Sequence, residues 1–310
     1  MSRRNALPCL LLTAWACMMA CSRVIGPDAA GTTASSDTTR VVKEPTGTDS
    51  LDEPVMRPAF SDTIYDGDNV YWGIICTTGT VLDKGCFVIN HDDRWKVPYW
   101  VGYYLSDWNL QGSVERTGDF RADPEIPVGS RAELKDYSGG GYDRGHMAPA
   151  GCFKRSVESI STSFLLSNMC PQTSRLNRGR WRILEEEVRE HVVIRGEAWV
   201  ITGCLFLDEL DRSIRVPPDT IGANEVAVPS HCFKAILSMG PDSGFCAYAF
   251  VMPNDSVSIP GTSVDYMMTI DDLEQMTGYD FFYRVPDPRE EAIESRWNPG
   301  WPDICTWVLW

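Results

Sequence analysis

The stretch Asp143-Arg144-Gly145-His146-Met147-Ala148-Pro149-Ala150 sets a guanidinium and an imidazole two positions apart, with a glycine between them. That pair suits the cleavage of a phosphodiester. An arginine grips phosphate oxygens through a two-pronged fork. A histidine, with an ordinary pKa of about 6.5, is free at neutral pH to take a proton from attacking water. The chain has 4 histidines, His91, His146, His191 and His231, and His146 is the one set in such a constellation. His191 closes a charged stretch and reads as a surface or helix-end residue. His231 follows Pro229-Ser230 in a segment that reads as structural.

A second chemical stretch follows, Leu166 to Glu185, with the sequence LSNMCPQTSRLNRGRWRILE. Asn177 offers a neutral amide oxygen, a hard donor suited to Mg²⁺, which demands oxygen ligands and keeps much of its water. By position alone it also suits a helix N-cap. Glu185 lies eight residues further on, and it forms an (i, i+4) pair with Arg189 in the favourable order for a plain helix salt bridge. Between Lys154 and Arg189 the bases Lys154, Arg155, Arg175, Arg178, Arg180, Arg182 and Arg189 cluster. They offer a phosphate track, or a solvated face paired with Glu185, Glu186 and Glu187.

Together the two stretches resemble the DNA/RNA non-specific endonucleases of the ββα-metal class. The likeness runs over about 70–285. It takes in KVPYWVGYYLS (96–106), ERTGDFRADPEIP (115–127) and DYSGGGYDRGH (136–146), then VAVPSHCFKAIL (226–237), FVMPN (250–254) and SVDYMMTIDDLEQMTGYDFF (263–282). The resemblance implies an α+β fold, a ββα-metal (His-Me finger) core embedded in a larger mixed, mostly antiparallel sheet with flanking helices. It implies hydrolysis of DNA and RNA with little sequence specificity, leaving 5′-phosphate ends. His146 would be the general base, and one Mg²⁺ (or Mn²⁺) would sit on Asn177. Glu185 would orient a metal-bound water, and Arg144 would clamp the scissile phosphate, a paired structural role with Asp143 being its alternative. Asp143 reads as an orienting residue; Asn168 and Gln172 support the site, near the metal or by tying loops. Arg116 and Arg121 flank the place where the family carries another phosphate-contacting arginine, and Arg189 falls in the supporting set. Trp181 reads as core. Gly151-Cys152 depart from the polar residues the family often has there, and Cys152 and Cys170 lie unusually close to the site.

The elements that must position these groups are legible in outline. From Val70 to Leu105, β-branched and aromatic residues alternate between turn residues, which predicts strands and hairpins. Ser138-Gly139-Gly140-Gly141 is a turn ahead of a short strand carrying His146. Trp181, Leu184 and Val188 share a face and predict a helix over 178–192, with Asn177 at its start. Further strands are expected at 198–203, 225–229, 233–238 and 245–252. A second helix is expected at 270–277, with Asp271-Asp272 near its start and Gly278 after its end.

The 310 residues carry a formal charge of −15, the wrong sign for a generic nucleic-acid binder. The basic pair Arg3-Arg4 and the apolar run Ala6–Ala20 read as a signal peptide (1–20). Met18-Met19-Ala20-Cys21 resembles a lipobox, which makes Cys21 the expected lipid attachment point. Residues 21–57, rich in Thr, Ser, Asp, Gly and Pro, read as a tether, and 58–310 as the nuclease domain. On this reading the protein is an exported cell-envelope lipoprotein, joined to a membrane by its anchor. Of 11 cysteines, setting aside Cys9, Cys17 and Cys21 leaves 8, an even number that suggests disulfides in an exported chain. Cys76 and Cys86 are the easiest local pair. The alternatives to an enzyme are a non-catalytic nucleic-acid-binding lipoprotein on the same fold and a structural envelope lipoprotein. Loss of His146 or Asn177 would favour the former, and neither is lost.

Overall fold

The computed structural model describes residues 68–75, 79–207, 219–239, 244–257, 259–297 and 301. The signal peptide, Cys21 and the tether expected over 1–57 lie outside them. In chain order the strands are β1 Ile74–Ile75, β2 Thr80–Asp83, β3 Val88–Asp92, β4 Val97–Ser106, β5 Asp143–His146, β6 Met169–Gln172, β7 Glu197–Leu205, β8 Thr220–Ile221, β9 Val226–Ala227, β10 His231–Met239, β11 Phe245–Pro253, β12 Met267–Met268 and β13 Asp280–Phe281. The helices are α1 Asp107–Leu110, α2 Val157–Thr162, α3 Trp181–Arg195, α4 Ile270–Thr277 and α5 Asp287–Glu294.

Seven strands form one sheet in the order β12-β11-β10-β7-β4-β3-β2, and every pairing in it is antiparallel. Its central strands are buried on both faces, so they read as near-continuous apolar runs and not as alternations. One face packs under Met147, Leu166, Met169, Leu176, Trp181, Leu184 and Val188. The other packs Trp100, Phe233, Ala247, Ile270, Leu273 and Phe281 beneath α4 and α5. The sheet is therefore the middle layer of an α+β sandwich. The first face carries the chemistry.

On that face, β5 and β6 form a separate two-stranded antiparallel ribbon with His146 opposite Met169 and Asp143 opposite Gln172. Helix α3 follows β6. Strand, strand and helix around one histidine is the arrangement expected from the DRGH and LNRGRW stretches. The expected helix start is corrected, however. Leu176–Arg180 is a wide π-type turn, broken by non-helical backbone at Gly179, and the regular helix begins at Trp181. Asn177 is therefore not the N-cap. Its own N–H already bonds Thr173 C=O within that turn. From this turn the Asn177 side chain reaches Asp143 of β5. Helix α4 falls where Thr269, whose side chain accepts the Asp272 N–H, and left-handed Gly278 punctuate it. No described helix is long and apolar enough to cross a membrane.

Candidate active site

His146 closes β5 and is 7 % exposed, with its backbone oxygen accepting the indole N–H of Trp181 at 3.3 Å. Its ring stands at 89° to Phe164, centroids 5.1 Å apart, and 5.7 Å from Phe120. Two guanidiniums cover these phenyl rings from outside. Arg144 Cζ lies 4.1 Å from the Phe120 centroid and Arg116 Cζ 4.9 Å from that of Phe164. Cation–π contact thus holds two arginines on the phenyl rings that pack against one imidazole. Burial, then the charges of Arg116 and Arg144, push the His146 pKa down to about 3. The ring is neutral throughout the physiological range. Its Nε2 is enclosed and has no hydrogen-bond partner among the described residues. A neutral imidazole whose partnerless nitrogen feels two nearby cations is equipped to take a proton beside a bound anion.

Asn177 faces this histidine strand from the π-type turn. Its Nδ2 donates to Asp143 Oδ2 at 3.0 Å, which commits the nitrogen end of the amide and leaves Oδ1 without a partner among the described residues. Arg178 seizes the same carboxylate with two bonds, Nε at 2.7 Å and Nη2 at 2.6 Å. The Arg178 fork, burial opposing it, and the Asn177 amide together hold the Asp143 carboxyl below its usual range. Asp143 is thus spent on orientation, and Arg144 is paired with a ring and not with its neighbour.

Glu185 lies on α3 over the sheet. It keeps some solvent contact, yet burial pushes its carboxyl up to about 7 against the opposing pull of Lys234, Arg189 and Arg116. The plain helix ion pair with Arg189, the alternative reading of Glu185, is not formed. Arg189 turns its guanidinium toward Gly151 and Cys152 instead. Asn168 is fully buried and saturated: Oδ1 accepts the Ala148 N–H, and Nδ2 donates to the carbonyls of Ala148 and Ser163. It ties the APA turn after His146 to the loop before β6, so the loop-tying alternative describes it. Gln172 packs its side chain against Gly145 and donates from Nε2 to Cys232 Sγ at 3.3 Å. Arg116 is brought to His146, whereas Arg121 is held away by Asp119 and the Ser161 carbonyl.

Among the described residues no trio of His, Cys, Asp or Glu ligands converges on this cleft. A partnerless amide oxygen beside a carboxylate fits one hard, largely hydrated divalent ion, and the donor set is too sparse for two. Much of the expected phosphate track is already committed. Arg182 pairs with Glu186, Arg155 stacks on Trp108, and Arg180 bonds the Gly261 carbonyl.

Some residues of the site escape the sequence pattern. Lys234 is buried beneath the site, 4.7 Å from the Trp181 ring and 3.4 Å from the Tyr103 hydroxyl. A lysine in an otherwise apolar strand, VPSHCFKAIL, is the one signal for it. Phe120 and Phe164 give none. His191 is corrected from surface to core: it is fully buried, bonds Ser238 Oγ at 2.7 Å and stacks on Trp301. The expected disulfides near the site are corrected too. Cys86, Cys152, Cys170, Cys204 and Cys232 are free thiols, so Cys86 has not paired with Cys76, which lies outside the described residues, and Cys152 has not paired with Cys170. Cys246 is disulfide-bonded.

The class follows from this ribbon-and-helix site on an antiparallel sheet. The model of the DNA/RNA non-specific endonuclease family matches residues 68–288, and the chain belongs to that family. It is 39 % identical over 203 residues to "Nuclease EXOG, mitochondrial" of Xenopus laevis, covering 63 % of this chain and 57 % of that protein. It is 33 % identical over 219 residues to the "Mitochondrial nuclease" of Saccharomyces cerevisiae, covering 67 % of each. The chain thus spans a little over half the length of the EXOG relatives it matches. A solved chain of an EndoG/EndoGI complex superposes with a TM-score of 0.67 at 31 % identity, over 74 % of this chain and 96 % of that one. These relatives overturn the expected cell-envelope location. The EXOG, yeast and Bos taurus endonuclease G relatives are named as mitochondrial nucleases and not as cell-envelope lipoproteins.

Proposed function

We propose that the chain is a metal-dependent endonuclease that hydrolyses phosphodiester bonds of DNA and RNA with little sequence preference. The observation that supports this most is the neutral His146, whose Nε2 has no partner among the described residues and which feels the charges of Arg144 and Arg116; the Asn177 amide oriented by Asp143 adds to it. Arg144 and Arg116 grip oxygens of the scissile phosphate, and their charge offsets that which builds up as phosphorus is attacked. His146 Nε2 takes the proton of the attacking water. Glu185 orients water on the Asn177 side, a role that needs its carboxylate form. Breakage of the P–O3′ bond leaves 5′-phosphate and 3′-hydroxyl ends. One Mg²⁺ (or Mn²⁺), held by Asn177 Oδ1 and waters, would supply Lewis-acid stabilisation of charge on the phosphate and the departing oxygen.

Nothing in this reading needs base contacts. Phosphate-gripping side chains carry no sequence information, which accords with a non-specific substrate range. The overall acidity does not oppose it, because attraction is local to Arg116 and Arg144. A plasmid-nicking assay, repeated on an RNA substrate, tests the proposal. Nicking of both that EDTA abolishes and added Mg²⁺ or Mn²⁺ restores is the expected result. Undiminished cleavage in EDTA, or binding without cleavage, contradicts it.

A further inference from the structure

On the face of the sheet away from the cleft, Asp271 and Glu274 on α4 and Glu294 at the end of α5 bring three carboxylates together. One oxygen from each lies within 4.8 Å of the others. None of the three belongs to the candidate active site. Asp271 is exposed, Glu274 half-buried and Glu294 only 9 % exposed. The enclosed Oε1 of Glu294 has no hydrogen-bond partner among the described residues. A carboxylate this deeply covered is costly unless a cation, a proton or hydrogen bonds compensate it.

The surroundings supply little compensation. After burial, the strongest influences on Glu294 are Glu274, Glu290, Asp271 and Asp280, all acidic. Among the described residues, the Phe281 N–H donates to Glu274 Oε1 at 2.7 Å. Burial and mutual repulsion raise all three carboxyls, Glu274 to about 7 and Glu294 to about 9. Such a cluster is strained as three anions and relaxed by a positive charge at its centre.

We propose that Asp271, Glu274 and Glu294 form a calcium-type divalent-cation site that clamps α4 to α5. Oxygen ligands of Ca²⁺ lie about 2.3–2.6 Å from the ion, so two of them on opposite sides are up to about 5 Å apart. Three carboxylate oxygens within 4.8 Å of one another are therefore close enough to share one such ion with small side-chain adjustment. Mg²⁺, which demands near-ideal octahedral geometry and keeps several waters, suits a cluster of three carboxylates less well than Ca²⁺ with its flexible oxygen shell. Exposed Asp271 gives the ion an entry path, and water completes its coordination. Bound there, the ion tethers α5 to α4 and lends stability without taking part in phosphodiester cleavage.

The test is thermal unfolding of the full chain at pH 8 with and without Ca²⁺, for wild type, Glu294→Gln and Asp271→Asn. Any Ca²⁺ taken up at the catalytic cleft is common to all three proteins and cancels in the comparison. Wild type should rise by about 5 °C or more at a hundredfold excess over the dissociation constant. Both variants should lose most of that rise, and Glu294→Gln without Ca²⁺ should match or exceed metal-free wild type. Each should retain Mg²⁺-supported nicking, which also shows that it folds; Asp271→Asn, at an exposed position, keeps the test open should Glu294→Gln not fold. A wild-type midpoint insensitive to Ca²⁺ overturns the site and leaves a proton-sharing carboxyl cluster. An equal Ca²⁺ shift in wild type and variants also overturns it.

Discussion

Asp143→Ala separates a metal-orienting carboxylate from a merely structural one. The substitution removes the acceptor of Asn177 Nδ2, 3.0 Å away, and that of the Arg178 fork. Arg178 is 73 % exposed, so its ion pair is screened by solvent and adds little to stability. The Asn177 bond to a charged acceptor is in principle worth about 1.5–3 kcal/mol, reduced to about 1 kcal/mol at a partly wetted site. For a domain of this size that is a fall of about 2–4 °C in Tm. The functional effect should be larger. Loss of a hydrogen bond that orients a metal ligand typically costs about 10–100-fold in metal affinity or activity. The Mg²⁺ concentration for half-maximal nicking should therefore rise about 10–100-fold, while maximal rate is partly recovered at high metal. Asn177→Ala should give a similar or larger rise, and the double variant should be no worse than Asn177→Ala alone, because Asp143 acts through that amide. Metal titration of nicking beside thermal melts of all three proteins reads both quantities. A lowered midpoint with an unchanged metal requirement would refute the reasoning and leave both residues as parts of a structural turn.

Removing either arginine beside His146 should move its titration upward. Because burial, then Arg116 and Arg144, depress it, the acid limb of kcat/KM should lie below the ordinary value of about 6.5 in wild type and move part of the way up toward it in Arg144→Gln, with a fall in rate. The same depression has a stability consequence: a histidine buried neutral contributes fully above the unfolded pKa of about 6.5, and the contribution is lost as pH falls toward 3. His146→Gln should flatten that part of the stability–pH curve. Lys234→Met should raise the Glu185 carboxyl further above about 7, since Lys234 is the strongest cation holding it down. Nicking should then fall more at pH 7 than at pH 9, and an unshifted profile would remove Lys234 from the site. Gly145→Ala would set a Cβ 2.1 Å from Gln172 Oε1, inside a fully buried contact. It should cost about 1–3 kcal/mol as overpacking, and Gln172→Ala in the same chain should restore much of the midpoint.

The sequence is most legible where chemistry or chain punctuation is local. Helix α4 is bounded correctly because its acidic first turn and the Gly278 just past its end announce it within a few residues. The histidine ribbon is legible because glycines precede it and one short string holds its polar groups. Helix α3 is placed by its apolar face, but its start is read too early. Nothing in the LNRGR string distinguishes a π-type turn from an ordinary first turn. What fails depends on packing across the sheet. His191 looks exposed by its charged neighbours, but Ser238 and Trp301, distant in sequence, enclose it. The Phe120 and Phe164 rings come from separate loops and meet only around His146. Cysteine parity assumes an exported chain, and buried Cys170 and Cys232, with sulfurs 3.9 Å apart, are thiols in the core.

Single-turnover cleavage of a supercoiled plasmid by His146→Ala, at saturating protein and Mg²⁺, tests the central claim most directly. The account predicts a fall of about two to four orders of magnitude, the usual worth of a general base. DNA binding and the metal requirement should be retained, because Arg144, Arg116 and Asn177 are untouched. A rate within a few-fold of wild type would contradict it and remove His146 from the chemistry.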